Sequence, residues 1–126
     1  MGAIIFDASD RLLLIKRGHP PAMGLWSIPG GRLEPGETDL QGLRREVLEE
    51  TGLRVQVGRL AGTVDRPGPA GVTYVIRDYL ARISSGVPVA GDDAADVRWC
   101  DMDELVRLPL AEGLLEALGE WGVLPG

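Results

Sequence analysis

The feature that most constrains this chain is a helix whose two ends are both written into the sequence. Thr38 followed three residues later by Gln41 makes a capping box, and Gly52 suits the left-handed residue that closes a helix, so a helix is expected over about 39–51. With about 100° of rotation per residue, Glu49 falls at about −60° and Glu50 at about +40° from Glu46, which puts three carboxylates on one face. Leu40, Leu43 and Val47 lie between about +60° and +120°, an apolar stripe that turns the carboxylates to the edge of a core. Gly42 shares the carboxylate face and is expected to leave open space one turn ahead of Glu46. Like charges at these spacings cost a helix on the order of a few tenths of a kcal/mol per pair, which a cation must offset. Arg45 supplies part of that by reaching Glu49, four residues on.

The segment ahead of the helix, residues 29–37, is rich in glycine and proline and reads as a shaped loop. Beside such a loop, a cluster of hard oxygen ligands suits Mg²⁺ or Mn²⁺ with substrate phosphates completing the coordination. A solvated acidic face is the alternative for such a helix taken alone. Gly31, Gly36 and Thr38 share the spacing of a phosphate-cradling P-loop, but Glu37 stands where its lysine belongs and would repel the phosphates, so that reading is discarded.

Elsewhere β-rich runs dominate. Residues 3–6 and 12–15 flank the turn-forming Asp7-Ala8-Ser9-Asp10 and read as a hairpin, and residues 25–28 form a short apolar segment behind a loop. Residues 53–64 and 72–83 read as two long strands around a loop at 65–71. A strand at 96–100, a short helix capped by Asp101 and Glu104, and helical spacing from Leu110 through Leu114, Ala117 and Leu118 to Trp121 complete the chain. Strands outnumber helices without alternating with them, so an α+β or mixed-sheet sandwich is expected. At 126 residues, a single domain over 1–126 is expected.

A hydrophobic fraction of 44% with 25% charged residues is ordinary for a globular chain, and a net charge of −6 argues against a nucleic-acid polymer as partner. One cysteine, Cys100, and one histidine, His19, exclude thiolate zinc sites and histidine-based triads. Cys100 is expected as a buried strand residue and His19 as a surface loop residue. No run approaches the eighteen apolar residues of a membrane helix, and 3–6 is too short for a signal peptide, so no membrane partner and a cytoplasmic location are expected.

Gly31, five residues, Glu37, seven residues, then Arg45-Glu46-Val47-Leu48-Glu49-Glu50-Thr51-Gly52-Leu53 resembles the complete Nudix box, with every fixed position of residues 31–53 matched. Trp26-Ser27-Ile28-Pro29-Gly30-Gly31 and Trp99 ahead of Asp103-Glu104-Leu105 extend the resemblance over nearly the whole chain. It implies an α/β/α sandwich with a mixed sheet, the box forming loop, helix and loop. It also implies Mg²⁺-dependent hydrolysis of a phosphoanhydride in a nucleoside diphosphate linked to another group, a small-molecule substrate, with Mn²⁺ as a substitute ion.

The resemblance further implies that Glu49, Glu50 and the Gly30 carbonyl bind metal, that Glu46 is a ligand or the base, that Arg45 orients Glu49, and that Glu37 braces the loop. Members of the family differ in where the base lies, and Asp92, Asp93 and Asp96 are candidates in a later loop, Asp93 first because it precedes Trp99 by six residues. Arg17 matches a position where family members often contact phosphate. Trp26 and Tyr74 could stack on a base, with a place in the core as the alternative for each. Family members usually carry several residues ahead of the first strand, whereas here Met1 falls within it. Many are dimers, although no feature of this sequence marks an interface. ADP-ribose or a related nucleotide sugar leads among substrates, with Pro69, sixteen residues beyond Leu53, as a weak cue beside Pro67. A nucleotide-sanitising (d)NTP pyrophosphohydrolase is the runner-up, and a nucleotide-binding sensor without catalysis comes from a different class. A purely structural module ranks last, having no use for three mutually repelling carboxylates.

Overall fold

The computed structural model describes residues 1–20, 22–91 and 94–126. The elements run β1 (Gly2–Ile5), β2 (Leu12–Arg17), β3 (Trp26–Ser27), α1 (Asp39–Thr51), β4 (Arg54–Pro67), a 3₁₀ turn (Pro69–Gly71), β5 (Thr73–Ser85), β6 (Ala94–Cys100), α2 (Met102–Arg107) and α3 (Leu114–Glu120). They form two three-stranded sheets of order β1-β5-β4 and β3-β2-β6, the first mixed because β1 runs parallel to β5 while β4 and β5 are antiparallel.

Strand alternation divides the core into two layers. Ala3, Ile5 and Leu13 point to one side, where they meet Leu43 and Val47 of α1; Ile4, Leu12 and Leu14 point to the other, against Leu105 of α2 and Leu114 and Leu118 of α3. Helices therefore cover both faces of the strands, which is the expected α/β/α sandwich. Among the described residues no helix is long and apolar enough to cross a membrane.

Helix α1 begins and ends where its signals place it. Thr38 accepts from the Gln41 N–H while the Gln41 side chain accepts from the Thr38 N–H, and Gly52 takes φ 73° at the other end. Its first turn is tied to β5, since the Arg77 fork donates to both Asp39 oxygens at 2.5 and 2.8 Å and the Tyr79 hydroxyl adds a further bond.

Four expectations need correction. The 3–6 and 12–15 runs do turn back at 7–10, but only Phe6 and Leu12 bridge; β1 then joins β5 and β2 joins β3 and β6, so the hairpin parts at its base. Leu40 is 44% exposed, because the burial stripe of α1 is narrower than the apolar one and is carried by Leu43 and Val47. The space beside Gly42 is filled: a Cβ there would meet Leu33 Cδ2 at 2.5 Å and Met1 Cε at 2.9 Å. The last helix starts at Leu114, because Leu110 is drawn into a bridge with Trp26.

Leu43 has no exposed surface, so Leu43→Ala should lower unfolding stability by roughly 2–5 kcal/mol in a denaturant titration. The Arg77 guanidinium, with help from Tyr79, holds the Asp39 carboxyl at about 2 against an ordinary 3.8. A depressed carboxylate stabilises the fold fully above its ordinary value and ceases to do so as pH falls through its folded value. Melting curves should therefore show wild-type stability falling between pH 3.8 and about 2, with Asp39→Asn flattening that part of the profile.

Candidate active site

Arg45 ties the glycine- and proline-rich loop to the acidic helix. Its Nε and Nη2 donate to the two Glu37 oxygens at 2.8 Å each, a bidentate fork, while Nη2 also reaches the Arg32 carbonyl at 3.0 Å. Its Nη1 donates to Glu46 at 2.9 Å and lies 3.4 Å from Glu49. Glu37 accepts as well from the Glu34 N–H at 2.7 Å, so one carboxylate closes the loop on itself and on the helix. Hydrogen bonds from Arg45 hold the Glu37 carboxyl at about 2, well below the usual carboxylate range.

Next to this network the loop presses on two of the helix carboxylates. Glu50 is 7% exposed and accepts from the Gly30 N–H at 2.8 Å. A Cβ on Gly31 would lie 2.5 Å from the Glu46 carboxyl carbon, so only glycine lets the loop pass that close. Residues 29–31 are themselves pinned to the first strand, with the Ala3 N–H donating to Pro29 and the Gly31 N–H to Met1. Gly91 is drawn against the far end of α1, its N–H donating to the Glu50 carbonyl at 3.0 Å. The carboxylates of Glu46 and Glu50, the backbone of Gly30 and the half-exposed Glu49 offer hard oxygen donors that match Mg²⁺ or Mn²⁺ in chemistry. Among the described residues no three acidic side chains converge closely enough to hold an ion, and Arg45 Nη1 stands between Glu46 and Glu49.

From Gly30 and Gly31 a cleft of about 500 Å³ runs between β5 and the start of α3. Arg17, Arg32, Arg66 and Arg77 line it, with Tyr74 and Asp78 from β5. Arg32 lies over the Tyr74 ring, 5.2 Å from its centroid, and Arg66 Nη2 donates to the Glu112 carbonyl at 2.6 Å. Arg17 ends β2, where the register with β6 shifts between Lys16 and Arg17.

The sequence-identified residues thus divide. Gly30, Arg45, Glu46, Glu49 and Glu50 come together where the loop meets the helix, and Arg17 and Tyr74 border the adjoining cleft. Trp26 does not join them: it is 6% exposed, packs with Ile28, Leu105 and Leu114, and is clamped by backbone bonds to Pro109 and Ala111, so it is a core residue. Asp92 and Asp93 lie outside the described residues, and Asp96 sits in β6 opposite Lys16. Cys100 is buried in β6 and His19 is exposed, as expected. Sequence reasoning missed Arg32, Arg66, Arg77 and Asp78. Arg66 fell in a segment read as loop, whereas β4 continues to Pro67; the alternation of 73–85 was the available signal for Arg77 and Asp78.

Comparison with known proteins agrees with this geometry. The model of the NUDIX domain matches residues 1–120. An ADP-ribose pyrophosphatase of Methanocaldococcus jannaschii is 35% identical over 105 residues, which is 82% of this chain and 62% of that protein. The human 8-oxo-dGDP phosphatase NUDT18 is 39% identical over 85 residues, 68% of this chain but 25% of its own length. The chain therefore spans less than two thirds of either relative. Among solved structures, a MutT NUDIX hydrolase from Burkholderia pseudomallei superposes with a TM-score of 0.82 at 33% identity, covering 94% of this chain and 92% of that one. With the loop, the acidic helix and the sandwich all accounted for over residues 1–120, the chain belongs to the Nudix family.

Proposed function

We propose that this chain is a metal-dependent pyrophosphohydrolase that cleaves ADP-ribose or a related nucleoside diphosphate sugar. The observation that carries the reading is the contact of the Gly30-Gly31 loop with Glu46 and Glu50 at the mouth of an arginine-lined cleft. Carboxylates and a metal act at one end of such a site, and cationic side chains receive the charge of a diphosphate along the rest. The similarity to an ADP-ribose pyrophosphatase over 82% of the chain supports the choice of substrate class.

Gly30, Glu46, Glu49 and Glu50 are the residues that would hold the divalent ion, with Mg²⁺ the first choice and Mn²⁺ a substitute. When bound, that ion neutralises phosphate oxygens and lowers the barrier to attack by water. Arg45 keeps Glu46 and Glu49 within reach of the loop. Arg17 contacts a phosphate, and Tyr74, 39% exposed beside Arg32, offers a face on which a base stacks. Glu46 takes the proton from the attacking water, with Asp93 as the alternative base. In the balanced reaction water adds to one phosphorus and the bridging P–O bond breaks, so ADP-ribose yields AMP and ribose 5-phosphate with release of protons.

The name of the human relative, an 8-oxo-dGDP phosphatase, favours a second reading in which a modified nucleotide is the substrate. Product analysis with ADP-ribose, dinucleotides and a set of (d)NTPs, with Mg²⁺, Mn²⁺ or EDTA, separates the two. AMP formed from ADP-ribose only in the presence of metal is the expected result; pyrophosphate or phosphate released from a single nucleotide promotes the second reading, and no turnover on any substrate rejects both. Glu50→Gln keeps an oxygen for the Gly30 N–H but removes the charge, so it should lower kcat by roughly a hundredfold or more while leaving the melting midpoint within a few degrees. A variant as active as wild type would remove Glu50 from the metal site.

A further inference from the structure

Asp78 is a buried carboxylate in the cleft that four arginines share with apolar side chains and the exposed Glu112. Its side chain is 6% exposed, yet it borders the cleft between the backbone of β1 and the Tyr74 end of β5. Gly2 packs so tightly on it that a Cβ there would lie 2.5 Å from Oδ1. Arg77, its neighbour in sequence, also borders the cleft but is engaged by Asp39; among the described residues Asp78 forms no side-chain ion pair. Burial pushes its carboxyl up from the ordinary range, and the Met1 ammonium, Arg66 and the Gly2 N–H oppose that shift without cancelling it.

Taking a carboxylate out of water with only partial compensation is costly, and an apolar side chain of similar size would fill the same space at no such cost. A ligand that brings hydrogen-bond donors into the cleft repays that cost. Phosphate oxygens cannot be the partner, because they would repel Asp78; they belong with Arg17, Arg32 and Arg66. What faces Asp78 is the donor-bearing end of a nucleotide, the N–H groups along one edge of its base or the hydroxyls of its ribose. We propose that Asp78 is a specificity-determining residue that accepts hydrogen bonds from those nucleoside donors. The inference rests on the reading above that a nucleotide occupies this cleft.

Calorimetric titration of the full chain with nucleoside monophosphates tests it without depending on turnover. The ligands are AMP and GMP, each compared with its 2′-deoxy form and with the analogue whose exocyclic amine is replaced by hydrogen. In wild type at least one donor deletion should weaken binding by about tenfold or more. The base and ribose arms identify which donor is read. In Asp78→Ala that difference should shrink to about twofold, and Asp78→Asn, which keeps a neutral acceptor, should retain part of it. If every deletion leaves wild-type affinity within about twofold, Asp78 reads no donor, whether or not the variants fold. Discrimination that survives in Asp78→Ala, or equal weakening of every ligand, likewise overturns the proposal. Binding with the expected discrimination but no hydrolysis of any substrate would reject the enzymatic reading and leave the assignment of Asp78 standing.

Discussion

The site depends on one guanidinium. Three carboxylates on one face of α1 repel each other and the polar loop in front of them, and Arg45 is the group that turns this into a stable arrangement. Its bidentate hold on Glu37 fixes the loop, its bond to the Arg32 carbonyl fixes the chain beyond Gly31, and its remaining nitrogen draws Glu46 and Glu49 together. A lysine could not do this, since it offers one point charge where five donors in a planar fork are in use. The depressed carboxyl of Glu37 follows from the same contacts: the acid that closes the loop stays ionised because the arginine is there.

Around that interaction the sandwich supplies rigidity. The same β1 strand that sends Ala3 and Ile5 toward α1 and Ile4 toward α3 also accepts and donates the backbone bonds that hold Pro29, Gly30 and Gly31. The loop is therefore fastened to the core at one end and to Arg45 at the other. At the first residue of α1, Asp39 is gripped by Arg77 and Tyr79 of β5, which ties the helix carrying the carboxylates to the strand lining the cleft.

Much of this was legible in the sequence, for a physical reason: it is local. The capping box, the Gly52 terminus and the reach of Arg45 to Glu49 involve neighbours on one helix, and spacing alone describes them. Contacts between distant segments were not legible. The turn at 7–10 is visible in composition, but which partners β1 and β2 choose beyond Leu12 depends on β5 and β6, some seventy to ninety residues later. Trp26 offers the same face to a base or to a core on paper, and it is the arrival of Leu105, Leu114 and the backbone at Pro109 that decides for the core. Arg66 was hidden because Pro67 marks a turn in most contexts, yet as the last residue of an edge strand it needs to give up no ladder bond.

The charge distribution then acquires a direction. A chain with a net charge of −6 repels anions over most of its surface, but Arg17, Arg32, Arg66 and Arg77 gather on one cleft. Several of these are already held in place: Arg77 by Asp39, Arg66 by the Glu112 carbonyl, Arg32 against Tyr74. Side chains ordered in advance lose little further freedom when a ligand arrives, so more of their attraction appears as binding. Gly113, at φ +79°, lets the chain turn into α3 beside the Arg66 guanidinium. Within such a field the buried carboxylate proposed above to read nucleoside donors would set polarity along the cleft: anionic groups are drawn toward the arginines and the Gly30-Gly31 mouth, and donor groups toward Asp78. A ligand with phosphates at one end and N–H or O–H donors at the other then has one favoured orientation, the one that brings its phosphates to Glu46 and Glu50.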